Sequence, residues 1–80
     1  MKFTRYFHYT RRRLDRASVK MEWIESVHRR PLATEFQADG RIRKWGYIDE
    51  TGKYLRIVLL EDGETVHNAF FDRDFKVTIQ

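Results

Sequence analysis

The sequence predicts an α+β domain in which two N-terminal helices pack on a four-stranded antiparallel β-meander. Three observations carry this. Up to Pro31 the apolar residues recur at intervals of three and four; beyond it they cluster in short β-branched and aromatic runs. Turn glycines at 40, 52 and 63 then separate those runs by 12 and 11 residues, the beat of consecutive antiparallel strands. The strongest pair of runs, within residues 53–71, is joined by Asp62-Gly63. That dipeptide is a hairpin signal, because a type I′ turn needs positive φ at both central residues.

The first helix is expected over about residues 4–16. Phe3, Phe7, Thr10, Leu14 and Ala17 fall on one stripe of it, and Thr4 suits its N-cap. An alternative lets residues 2–6 begin as a short strand. The second helix spans about residues 20–30, with its cap at Ser18 or as late as Lys20. It places Ile24, Val27 and His28 at i, i+3 and i+4, with Trp23 and Val27 an overlapping pair. Glu22 and Glu25 lie early in it and Arg29 and Arg30 late, as the helix dipole favours. Pro31 ends it, because proline disfavours helical geometry at the preceding residue.

Strands follow at about residues 32–38, 41–49, 53–61 and 64–71. The first has mixed character and reads as an edge. Gly46 in the second suggests a bulge or a close backbone approach. The third is apolar from Leu55 to Leu60 except at Arg56, so it reads as central and covered on both faces. Residues 76–79 either return as a short strand or trail off.

The 80 residues form a single domain, 1–80, with no cysteine and therefore no disulfide or thiolate metal site. Three scattered histidines give no metal spacing, and the glycines sit at turns rather than in a phosphate-cradling loop, so no metal and no cofactor is expected. The N-terminal residues are basic and polar, unlike a signal peptide, and no apolar run approaches the roughly 18 residues of a membrane span. The expectation is a soluble, cytoplasmic protein without a membrane partner. Charge is uneven: residues 1–30 carry nine Lys/Arg against three Asp/Glu, for +6, and the rest carry seven against nine, for −2. A basic face of this kind attracts a polyanion such as RNA, or an acidic partner; it also suits a solvated helix face.

Chemistry is sought first on the first helix, where His8, Arg12 and Arg16 stack at i, i+4 and i+8. On the strands, Arg56 interrupts one apolar run and His67 and Asn68 another. A two-residue Asp62-Gly63 loop would pair Glu61 with Glu64, so that Val58 faces His67, Arg56 faces Ala69, and all four share one face. His8, Arg12, Arg56 and His67 are thereby the candidate catalytic set: imidazole moves protons near neutral pH, and guanidinium binds phosphate and stabilises a pentavalent transition state. Arg11, Arg13, Arg16, Arg43 and Lys44 are the candidate nucleic-acid contacts. Trp45 and Tyr47 share the outer parity of their strand with Arg41 and Arg43, a pattern that stacks bases and holds phosphates, or equally suits core packing or a partner interface. The structural alternative has His8 packing at a helix end, Arg12 and Arg16 paired with carboxylates, and Arg56 snorkelling. His28 suits a core edge near a helix C-terminus.

The pattern His8-x-x-x-Arg12-x-x-x-Arg16, Val19, a helix ending at Pro31, Gly40-Arg41-Ile42-Arg43, Leu55-Arg56-Ile57-Val58 and Thr65-Val66 resembles a widespread, uncharacterised family of small bacterial α+β domains. The likeness covers residues 3–71. Arg30 before Pro31, and Ser18 where glycine is common, depart from it. More remotely the family resembles the BrnT and RelE/ParE type II toxins, several of which cleave mRNA and are covered by antitoxins. The resemblance matches His8, Arg12, Arg16, Arg56 and Thr65 to the family's polar positions. It implies a toxin-like protein that binds or cleaves RNA without a metal, as an endoribonuclease, with a cognate antitoxin-like partner. The alternative is a non-catalytic protein-interaction or homodimerisation module, with an apolar edge patch around Trp45, Tyr47 and residues 32–38.

Overall fold

A computed structural model describes residues 1–13 and 18–77. Its elements run β1 (Lys2–Phe3), α1 (Arg5–Thr10), α2 (Met21–Arg29), β2 (Ala33–Phe36), β3 (Ile42–Ile48), β4 (Lys53–Leu59) and β5 (Thr65–Phe71). The fold is α+β, with one five-stranded sheet in the order β1-β5-β4-β3-β2. The meander β2–β5 is antiparallel, as its turns require. The sheet is nonetheless mixed and has one strand more than expected, because Lys2 and Phe3 pair parallel to Thr65 and Val66. A two-residue strand carries no detectable periodicity, which is why only the alternative of a strand near residues 2–6 anticipates it.

Thr4 then caps α1, its Oγ1 accepting from Phe7 N at 3.0 Å. The helix stops at Thr10, well short of residue 16. Arg11 Nη1 donates to Val19 O at 2.8 Å, tying this end of the helix to the start of the next. Leu14, Arg16 and Ala17 lie outside the described residues, as does the end of the proposed last strand; Lys76 and Val77 are not in a strand. The cap of α2 falls at Lys20, without a side-chain bond, and the helix ends before Pro31.

Both helices cover the same face of the sheet. Phe7, Val19, Trp23, Ile24 and Val27 meet Ile48, Leu55, Ile57, Leu59, Val66 and Ala69 in one buried cluster. Each large side chain fully buried there contributes about 1.5–3 kcal/mol. Gly46 marks the closest approach: a Cβ on it would lie 2.7 Å from Val27 Cγ2, so the helix seats directly on the strand. Two polar contacts clamp the far end of α2. Lys44 Nζ donates to His28 O at 3.0 Å, and His28 Nε2 lies 3.1 Å from Gly63 O.

The β4–β5 turn departs from the expected type I′. No non-glycine residue described has positive φ; Gly63, at 70°, takes the left-handed position alone. Leu60 N bonds Thr65 O at 2.9 Å, which leaves a four-residue loop. Asp62 organises it by accepting from Glu64 N and Thr65 N, both at 2.9 Å, and from Thr65 Oγ1. These bonds to the charged form hold its pKa down at about 2.

Candidate functional site

Register decides which side chains share the face without helices. Next to the turn the expected pairing holds, with Leu59 opposite Val66. One step on, the ladder shifts: Val58 pairs with Asn68, Ile57 with Ala69 and Arg56 with Phe70. His67 is the extra residue of a β-bulge. The expected pairs Val58–His67 and Arg56–Ala69 are therefore each off by one, and Ala69 joins the core. The bulge also puts two consecutive side chains, His67 and Asn68, on the helix-free face beside Val58 and Arg56, where they line one groove.

That groove has a volume of ≈ 620 Å³. Tyr6, Gln37, Asp39, Arg41, Arg43 and Phe70 complete its walls. His67 is held on two sides. Its Nδ1 lies 3.1 Å from Thr4 Oγ1, and its ring stacks on Tyr6 with centroids 4.7 Å apart at 18°. Thr4 Oγ1 also accepts from Phe7 N, and its own hydrogen can be donated to Nδ1 when the ring proton sits on Nε2. Burial, and then the charge of Arg41, lower the His67 pKa below 6.5.

The three arginines are held differently. Arg56 lies 3.6 Å from Asp72 Oδ2, with its guanidinium 4.2 Å from the Phe70 ring centroid. Arg43 Nη1 donates to Glu35 Oε1 at 3.4 Å. With the Gln37 amide turned to present its oxygen, Gln37 accepts from Arg43 Nη2 at 2.6 Å and Nε at 3.0 Å. Arg41 has a looser ion pair, 3.9 Å to Asp39, between side chains that are 45% and 57% exposed.

Beyond β5 the chain turns back across this face. Trp45 Nε1 donates to Asp72 Oδ2 at 3.0 Å, and Phe75 stacks on Trp45 at 5.0 Å and meets Tyr54 edge-on at 5.2 Å. Trp45 is thus buried, as core packing predicts, but in a second cluster opposite the helices. Four contacts set the Asp72 pKa. Burial raises it, and the bonds from Trp45 and from the backbone of residues 74 and 75, with Arg56, bring it below the ordinary value.

Of the four candidate catalytic residues, only Arg56 and His67 line the groove. His8 is exposed, with its ring beside those of Phe3 and Phe7. It follows Tyr6 by two residues, roughly 200° around the helix, so it points away when Tyr6 faces His67. Arg12 is exposed and lies past the end of α1, so the His8–Arg12–Arg16 stack does not form on a helix; Arg16 itself is outside the described residues. Among the candidate nucleic-acid contacts, Arg43 is in the groove. Arg11 holds Val19, Arg13 is exposed elsewhere, and Lys44 is on the helix side, one residue from Arg43 and therefore on the opposite face. Sequence reasoning placed Arg41 on the correct parity, in a pattern suited to holding phosphate, without counting it among the candidate nucleic-acid contacts. It missed Tyr6 and Gln37, which arrive from α1 and from beyond β2 and carry no spacing signal.

Among the described residues, no group of three or more His, Cys, Asp and Glu side chains could hold a metal, and no helix is long and apolar enough to cross a membrane. No family model matches the chain, and no curated protein or solved structure is significantly similar to it.

Proposed function

We propose that this protein binds RNA in the helix-free groove, with His67 as the group placed to move a proton there. The observation that carries the reading is the convergence of Arg41, just before β3, with Arg43, Arg56 and His67 of three strands on one open groove that also contains aromatic rings. Guanidinium groups recognise phosphate, and exposed rings stack on bases. The geometry favours binding over cleavage. In-line cleavage through a 2′-hydroxyl uses one group to take the proton from the nucleophile and another to protonate the leaving oxygen. His67 fits either role, but His8 does not line the groove to take the other. The toxin-like reading, with an antitoxin-like protein covering the groove, rests on the same surface.

Fluorescence anisotropy with a labelled RNA oligonucleotide, titrated at several salt concentrations, tests this. Binding should weaken as salt rises, and Arg41→Ala should lower the slope by about 0.7, the share of one phosphate contact on a single strand. Binding that ignores both salt and Arg41 removes the proposal. Gel analysis of the same RNA with parent and His67→Ala protein reports on cleavage.

A second reading, an interaction module, is favoured by β2. This outer strand leaves Phe36 77% exposed, and Leu32 just before it is 57% exposed. Trp45, buried beneath Phe75, is not part of that patch. A concentration-dependent mass by light scattering, abolished by Phe36→Lys, would support it.

A further inference from the structure

We infer that the groove takes a single strand rather than a duplex, with one base stacked on Tyr6 and its phosphate held by Arg41. The inference rests on the RNA-binding reading and names the substrate class and the residues that select it. Tyr6 belongs to the described helix α1, yet the residue is 47% exposed while its ring lies flat against His67. One side of the ring is backed and the ring as a whole remains wet. Core packing does not account for such a position; a stacking platform does.

The platform is also built in advance. Thr4 caps the helix that carries Tyr6 and, through the same Oγ1, contacts the imidazole behind it. One hydroxyl therefore serves both the helix that carries Tyr6 and the imidazole on which the Tyr6 ring stacks, so less side-chain freedom is left to lose when a base arrives. The arginines divide the remaining work. Arg43 is engaged by Glu35 and Gln37, and Arg56 by Asp72 and Phe70. Arg41, with one long ion pair and high exposure, can exchange Asp39 for a phosphate at small cost. Arg41 lines the same groove as Tyr6 and His67, which places the phosphate position and the platform in one cleft. A duplex buries the faces of its bases and cannot use the platform, whereas an unstacked base can.

The test compares three fluorescein-labelled probes on the full chain: a ten-nucleotide single-stranded RNA, the same RNA annealed to its complement, and a single-stranded DNA of equal sequence. The single strands should bind at least about tenfold more tightly than the duplex. Tyr6→Ala should weaken single-strand binding by about 5- to 150-fold, the range for loss of one stacked base. Tyr6→Phe should retain the affinity. Tyr6→Leu, which keeps apolar cover over His67 without a π face, should lose it as Ala does. Equal affinity for duplex and single strand, or RNA binding indifferent to Tyr6→Ala and Tyr6→Leu, overturns this inference and leaves the RNA-binding reading in place. Absence of binding to all three probes overturns both.

Discussion

The two faces of the sheet are built from the same strands by opposite means. On the helix side, Leu55, Ile57 and Leu59 of β4 are fully buried, and the face is dry because two helices lie on it. On the other side, Tyr54, Arg56 and Val58 are half-buried, and cover comes from residues 72–75 at one end alone. The first face is held by non-directional burial, the second by a few directed contacts: an indole to a carboxylate, a guanidinium on a ring, a histidine against a threonine. Loss of one apolar contact in a packed core is felt throughout it. A directed contact at the rim of a groove can be exchanged for a ligand. The division of labour follows: one face supplies the stability that lets the other stay open.

Truncation at neighbouring positions of β4 puts that contrast to its hardest test. Ile57→Ala should cost about 2–5 kcal/mol, the transfer and cavity terms of a fully buried aliphatic side chain. Val58→Ala, one residue on and facing the groove, should cost under about 1 kcal/mol. Urea denaturation measures both. Equal losses would mean that the groove is a second core and no binding surface.

An intermediate effect is expected where the second face is dry. Phe75→Ala removes the ring stacked on Trp45 and touching Tyr54, and should destabilise the protein by about 1–2 kcal/mol. Its particular mark is optical: Trp45 emission should shift to the red as water reaches the indole, while Trp23 on the other face remains covered. An unshifted spectrum would show that residues 72–75 do not shield Trp45 in solution.

The helix face was the legible one. Ile24 and Val27 share a helical stripe, and Gly46 announces a close approach. The apolar run of residues 55–60, by contrast, reads as covered on both faces, and only the structure shows Leu55, Ile57 and Leu59 alternating with the half-buried Arg56 and Val58 of an open face. Thr4 was legible as a cap. The groove was not, although its parity on β3 was. Nothing within Thr65–Phe71 says which residue is extra, so the bulge at His67, and with it every pair beyond, had to come from three dimensions. The spacing of His8, Arg12 and Arg16 suggested a face on a helix that ends at Thr10. Periodicity reports what a continuous element repeats; a site assembled from a bulge, a helix start and a returning tail repeats nothing.

The smallest effect concerns proton binding on the open face. Burial, and after it Arg41, lower the His67 pKa below its ordinary value of 6.5. The unfolded chain therefore binds the proton more readily than the folded one. The stability that neutral His67 contributes is full above the unfolded pKa and is lost as pH falls through the folded pKa. Melting temperature should decline over that window, and His67→Asn should remove this part of the decline. RNA affinity should move the other way, since a protonated His67 adds positive charge beside Arg41. An NMR titration of the imidazole separates the two causes. Arg41→Ala should raise the midpoint only partway toward 6.5, because burial, the larger cause, remains. A parent His67 that titrates at or above 6.5 would mean that burial and Arg41 do not govern its protonation in solution.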